Sequence, residues 1–373
     1  MDTALHAGLR WLPLVCWPRP ACPPLPARVT EITTLVREAG EPGADPLGGT
    51  AHALNKAALL ASDCGLDDLA RDLCWRHIDS YRQASRPLTV DLARRMLGPA
   101  LNLARLKLRS GEADSALRLL EAIHHAVTAG SDLIIDGRVL PVAGLAGTTE
   151  EHARLRNAVR QHHLTDGIRA HATAGRWDQA ASLAEALGGV SARLTEGRQA
   201  VIIARCMEGD LTAARGILAQ TVAAEPWETH VAACLTVICG TTGADSAVCT
   251  MTEQFLTGKP APRCTLFWAR LGLTIAALAG RTRPRYAGAV IGAIAEAAIQ
   301  AADGYAARDI VQSPGAYVLE EQRRNCLAEL AAASGLGCSP LPVQLLGRFS
   351  DAVTAALATQ AGQLACLQGG PKP

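Results

Sequence analysis

The sequence predicts an all-α protein, an α-solenoid of helical hairpins with one inserted β-hairpin. Three observations carry this. A short motif of glycine, acidic residue and small residue recurs along the chain, and its last three glycines, Gly175, Gly209 and Gly243, stand 34 residues apart. Hydrophobic residues make up 49 % of the 373 and fall mostly in alanine-rich runs with helical spacing. The segment "DLIIDGRVLPV" (Asp132–Val142) instead flanks an Asp-Gly pair with β-branched residues, the pattern of a tight hairpin.

The elements follow in order. "LRWLPLVCW" (Leu9–Trp17) is apolar, but Pro13 interrupts it, and it lacks the charged start and small-residue cleavage site of a signal peptide. "RPACPPLP" (Arg19–Pro26) reads as extended, Ala27–Gly40 as an opening helix and Glu41–Gly49 as a linker, so residues 1–49 form a proline-rich extension. From 50 to 280, apolar runs pair around Gly65, Gly111, Gly175, Gly209 and Gly243. Glycine supplies the permissive backbone between two helices, and Asp or Ser caps the second one. Alanine after the turn lets the second helix approach the first closely. The spacing breaks upstream, with 46 residues from Gly65 to Gly111 and 64 from Gly111 to Gly175. That longer gap holds the β-hairpin, assigned to 131–148. It reads equally as a lid or docking element over a groove and as a cover for exposed core. Residues 281–365 continue in helices without a clean period: Arg285–Val311, Tyr317–Gly337 and Pro342–Ala361. They are expected to cap the stack, with residues 366–373 as a tail.

A 34-residue helix–turn–helix period resembles the tetratricopeptide repeat (TPR). Gly175, Asp178 and Ala180 match that family's turn glycine, capping aspartate and small second-helix residue. Gly209 with Ala214, Gly111 with Ala116 and Gly65 with Ala70 repeat part of the pattern. Val248 departs from it, and the family's large aromatic residues are mostly absent. The resemblance implies a TPR-like superfamily fold with degenerate repeats. It also implies a concave groove lined by the first helix of each pair, and binding of a protein or peptide there.

Composition narrows the function. A net charge of +1 and 3 % aromatics supply neither the basic patch nor the stacking platform that nucleic acid requires. "CTLFWARLGLTIAALAG" (Cys264–Gly280) is the most apolar stretch, but it carries Arg270 and falls short of the roughly 20 residues of a bilayer span, so it reads as a core helix. Twelve cysteines without a C-x-x-C pair, several inside apolar runs (Cys206, Cys234, Cys239), read as a reduced cytoplasmic protein. His124-His125 and His162-His163 are adjacent pairs, and neighbours on a helix diverge by roughly 100°. His162 and Asp166 could share a face, but no second motif completes a ligand set, so no metal or cofactor is expected. Cys74 and His77 share a helix face, either as a thiolate pair or as a packed cysteine beside a partly exposed histidine. Asp67-Asp68 and Glu150-Glu151 suit helix N-termini. No phosphate-binding glycine loop or nucleophile elbow occurs.

The binding candidates come from the repeat register. The positions that resemble the groove face hold His52, Asn55 and Asp63 in the first copy, and Arg105 and Arg109 in the second. The third holds His162, Thr165 and Arg169, the fourth Glu196 and Gln199, and the fifth His230. Arg105 and Arg169 both stand six residues before their turn glycines, and two aligned guanidiniums could fork onto a carboxylate or phosphate. Some TPR domains clamp a peptide C-terminus with Lys, Asn and Arg. Asn55 and Arg105 are similar to part of that set, but the clamp's other basic position is Ala51, and Lys56 points elsewhere. The same polar residues would also suit a merely solvated face. The expected function is recognition of an acidic or carboxylate-bearing protein or peptide partner, with no nucleic acid and no membrane. The alternative is a biosynthetic enzyme or accessory protein with a small-molecule pocket among the repeats. A third reading is a structural subunit that forms a homodimer through its C-terminal helices.

Overall fold

The computed structural model describes residues 8–367 except 83, 241–243, 281 and 338–340. The expected turn glycine Gly243 and the tail from 368 onward lie outside the described residues. The described residues form sixteen α-helices and one two-stranded sheet. The chain divides into two compact units, one of residues 25–170 with 337–373, the other of residues 1–24 with 171–336.

In the first unit the opening helix is α1 (Leu25–Ala39). Two hairpins follow: α2 (Pro46–Asp63) with α3 (Asp67–Asp79), and α4 (Val90–Arg109) with α5 (Ala113–Ala129). Asp45 caps α2 by accepting the Gly48 N–H (2.9 Å), and Pro46 starts the helix with a preset φ. The turn glycines behave as expected: Gly65 and Gly111 sit at φ +75° and +81°. The capping expectation needs correction. Leu66 and Glu112 occupy the N-cap positions without side-chain bonds, while Asp67, Asp68 and Asp114 lie in the first turn, where they complement the helix dipole. Ala57, Ala61, Ala70, Ala93 and Ala100 are buried, so the helix axes pack closely around Leu54, Leu73, Trp75, Ile78 and Leu97. The first helices of successive hairpins, α2 and α4, touch.

The inserted hairpin is β1 (Leu133–Ile135) and β2 (Arg138–Leu140), antiparallel with Ile135 opposite Arg138. Asp136 and Gly137 both adopt positive φ (50° and 78°), as a two-residue primed turn demands. Ile135 and Leu140 are buried in the first unit's core, whereas Ile134 is exposed. Arg82 and Arg86 donate to the backbone carbonyls of Val139, Pro141 and Ala143. One face of the hairpin therefore covers core, the second of its two expected roles. Helix α6 (Thr149–Thr173) follows and belongs to this unit as far as Ala170.

The second unit holds hairpins α7 (Trp177–Ala186), α8 (Glu196–Met207) with α9 (Leu211–Ala219), and α10 (Pro226–Ile238) with α11 (Ala244–Thr257). Then come α12 (Thr265–Ala279), α13 (Pro284–Gln300), α14 (Gly304–Val311) and α15 (Glu321–Ala333). Gly175 and Gly209 take φ +73° and +84°. Asp210 caps α9, accepting the Ala213 N–H (2.9 Å). Arg176, not Asp178, is the N-cap of α7. Gly240 is left-handed after α10, three residues before the glycine expected there. First helices again touch in succession, α8 with α10 and α10 with α12. The most apolar segment is the core helix α12. Gly272 lets it press onto α13, since a Cβ would run into Ile294, and Arg270 is paired with Asp309 (2.8 Å). Among the described residues no helix is long and apolar enough to cross a membrane. The continuous helix expected over Arg285–Val311 breaks at Ala301–Asp303, where Asp303 accepts from the N–H of Tyr305 (3.0 Å) and caps α14.

The chain ends depart furthest from expectation. The last helix, α16 (Val343–Cys366), packs on α1 and α2 of the first unit through Phe349 and Val353, instead of extending the repeats of the second unit. The N-terminal segment lies across the second unit, where Cys16 and Cys264 form a disulfide. That bond corrects the expectation of a fully reduced chain. The two cysteines are 248 residues apart, a pairing no local pattern announces.

Candidate functional site

Two of the predicted groove residues hold a peptide segment, and the segment is the chain's own. Gln199 on α8 is fully buried. Its Nε2 donates to the carbonyls of Leu14 (2.7 Å) and Leu194 (3.0 Å), and its Oε1 accepts the Leu14 N–H (2.8 Å). One side-chain amide thus pairs with both main-chain groups of one residue. Glu196, one turn earlier, accepts the indole N–H of Trp17 (3.4 Å). Farther along, Arg19 donates its N–H to the Arg263 carbonyl (2.8 Å), and its guanidinium lies 4.5 Å over the Tyr305 ring. The Cys22 N–H reaches Asp303 (3.1 Å), while its carbonyl accepts from the Gly304 N–H (2.9 Å) and the Ser334 hydroxyl (3.1 Å). Leu12, Pro13 and Leu14 are all buried. Beside this segment the second unit holds a half-open, mostly apolar cavity of about 840 Å³, with Trp11, Trp177, Leu273, Ile291 and Tyr317 in its walls.

The first unit carries a polar cleft of about 430 Å³ lined by Asn55, Arg94, Leu101, Leu155 and His162, among others. Three first helices meet there. Asn102 of α4 donates to Asn55 Oδ1 of α2 (3.1 Å) and accepts from Arg105 (3.1 Å). Arg105 then contacts Asp166 of α6 through Nε (2.9 Å) and Nη2 (2.8 Å), with His162 Nδ1 at 3.2 Å from Nη2. Burial first, and the Arg105 charge second, hold His162 below the ordinary imidazole range, so it stays neutral at pH 7. The fold therefore brings together Asn55, Arg105 and His162 as the register implied. Asp166, Asn102 and Arg94 join them. For Asp166 and Asn102 the signal in the sequence is one helical turn of spacing from His162 and Arg105; Arg94, eleven residues before Arg105, has no such signal.

The other groove residues stand in different settings. Arg105 is already paired with Asp166, so it does not form a free fork with Arg169, which lies exposed farther along α6. Asp63 is buried between Arg28 (2.5 Å) and Arg109 (2.8 Å), an internal triad that also occupies Arg109. Thr165 bonds the Gln161 carbonyl of its own helix (3.1 Å). His230 packs edge-on against Trp268, at 5.4 Å between ring centroids. His52 is exposed on α2, and Lys56 pairs with Glu31 of α1 (2.8 Å). Of the adjacent histidine pairs, one member of each meets across helices: the Nδ1 atoms of His124 and His163 lie 3.3 Å apart. Among the described residues no three His, Cys, Asp or Glu groups are placed to hold a metal ion.

Cys74 and His77 are packed neighbours, not a thiolate pair. Both are almost fully buried; burial pushes the Cys74 thiol up to about 12 and the His77 imidazole down to about 3. His77 in the unfolded chain titrates near 6.5, so below that pH the unfolded state binds the extra proton. Its contribution to stability is complete above pH 6.5 and is lost progressively as pH falls toward 3. At pH 5 the expected loss from His77 is about 2 kcal/mol relative to pH 7. Urea unfolding at the two pH values checks it. A His77→Leu variant should show a pH 5 to pH 7 difference smaller by that amount, and an identical difference would refute the assignment.

No family model, curated protein or solved structure matches this chain.

Proposed function

We propose that the chain is a TPR-like recognition protein that binds an extended, acidic or carboxylate-bearing peptide of a protein partner against the first helices of its hairpins. The observation that carries this reading is that Asn55, Arg94 and His162, from α2, α4 and α6, line one cleft, with Arg105 bonded to His162 beside it. The hold of Gln199 on both main-chain groups of Leu14 supports it, since the register position of Asn55 there already grips a main chain. In the cleft an incoming carboxylate meets Arg94, which lines it without an ion pair among the described residues, and competes with Asp166 for Arg105. The charge-assisted bond to Arg94 contributes about 1.5–3 kcal/mol.

The test is fluorescence polarisation with extended peptides ending in a free carboxylate or in an amide. Carboxylate peptides should bind more tightly, more weakly at high salt, and roughly tenfold more weakly or worse to Arg94→Ala. Equal binding of both peptide forms, or an Arg94→Ala variant as tight as the parent, would sink the reading.

The cavity of about 840 Å³ in the second unit favours the alternative of a small-molecule pocket. Among its described lining residues only Arg10 and Tyr317 are ionisable, which fits retention of an apolar ligand better than general acid–base catalysis.

A further inference from the structure

A second pair of sulfurs lies in the second unit, apart from the Cys16–Cys264 bond. Cys206, in the last turn of α8, and Cys239, which ends α10, place their Sγ atoms 3.3 Å apart. Each ends the first helix of its hairpin, just before a left-handed glycine, Gly209 or Gly240. The repeat geometry therefore stacks the two positions, although 33 residues separate them in sequence. Cys206 is partly exposed, whereas Cys239 is buried.

A cation stands beside them. Arg215 of α9 reaches over the end of α10, donating from Nε (3.1 Å) and Nη2 (3.0 Å) to the Cys239 carbonyl and from Nη2 to that of Gly240. The Cys206 S–H can point at Cys239 Sγ. That hydrogen bond, with Arg215 adding to it, holds Cys239 below the usual thiol range and raises Cys206. The other free cysteines of these helices lack this setting; Cys234 is buried with its thiol pushed up to about 12.

We propose that Cys206 and Cys239 form a reversible dithiol–disulfide site whose oxidant is a small-molecule disulfide. In the singly deprotonated pair, where Cys239 has released its proton to water, Cys206, the reachable member, passes its own proton to Cys239 and attacks one sulfur of the small disulfide RSSR. The S–S bond of RSSR breaks, a Cys206–S–S–R mixed disulfide forms, and RS⁻ leaves and takes up the proton now on Cys239. The Cys239 thiolate attacks Cys206 Sγ, expelling a second RS⁻, which is protonated from water while the proton that left Cys239 is carried by the first. Two protein thiols become one S–S bond, and one RSSR becomes two RSH. The new bond ties the end of α8 to the end of α10 across α9, joining two consecutive hairpins.

The experiment equilibrates the full chain in a series of reduced-to-oxidised glutathione buffers, quenches in acid, alkylates and maps the tryptic peptides by mass. Cleavage after Arg205 and Arg215 isolates Cys206 from every other cysteine, and fragmentation separates Cys239 from Cys234 and Cys249. The expected result is a Cys206–Cys239 linked pair that appears as the buffer becomes oxidising, lowers the intact mass by two hydrogens and disappears with dithiothreitol. Cys239→Ser should instead stop at a glutathione adduct on Cys206, with circular dichroism unchanged. The proposal is overturned if both cysteines of the parent chain stay fully alkylatable across the series, or if the parent also stops at the adduct. The parent-chain measurement decides the matter even where a variant fails to fold.

Discussion

Asp63→Asn is expected to lower the unfolding free energy by about 3–5 kcal/mol. The Asp63 carboxylate is 2 % exposed and lies between the guanidiniums of Arg28 and Arg109. Arg28 is itself 8 % exposed at its side chain, so the amide takes from a buried cation the carboxylate charge it bonds at 2.5 Å. Arg109 is exposed and can turn to water. The loss should therefore trace to Arg28, and Arg28→Met combined with Asp63→Leu should recover most of it, because an apolar pair of similar volume replaces the ions. Urea titration followed by circular dichroism measures each variant. An Asp63→Asn change of under about 1 kcal/mol would show that Arg28 does not depend on this carboxylate.

Gln199→Leu is the second large effect, expected at about 2–5 kcal/mol. Leucine keeps much of the volume but leaves the N–H and the carbonyl of Leu14 buried without their partner. The cost should concentrate on the N-terminal segment. Amide hydrogen exchange between Leu12 and Trp17 should accelerate strongly, while α2–α5 in the other unit keep their protection. The Cys16–Cys264 bond should still tether the segment, so reduction of that bond in the variant should accelerate exchange further. Unchanged exchange at Leu14 would mean that the remaining contacts of the segment, at Arg19 and Cys22, hold it alone.

These two residues show how far the register carries. Asp63 and Gln199 were both singled out as groove positions by counting back from a turn glycine. The count places them on the correct helices, but it is blind to what approaches from elsewhere in the chain. Arg28 comes from the opening helix, 35 residues before Asp63, and Leu14 lies 185 residues before Gln199. A polar residue on an inner helix face looks the same in sequence whether it meets solvent, a buried ion or a distant strand. Asn55 and His162 do line one cleft, with Arg105 joined to both through Asn102 and a direct contact to His162, although the spacing of their turn glycines is irregular. Arg105 nevertheless arrives with its charge already answered by Asp166.

Local chemistry was legible. The left-handed glycines at 65, 111, 175 and 209 mark where one helix ends and the next begins, because few other residues adopt that backbone at no cost. The Asp136-Gly137 turn follows from the same steric rule, and the burial of α12 from an apolar run whose single charge is Arg270. The tertiary structure alone decided the rest. It sends the last helix back onto α1 and α2, lays residues 8–24 over the other unit, joins Cys16 to Cys264 and brings Cys206 within reach of Cys239. Each of these is a long-range pairing between surfaces that are individually ordinary. Their free energy depends on complementarity of shape and charge once the hairpins have stacked, and that information resides in no short stretch of sequence.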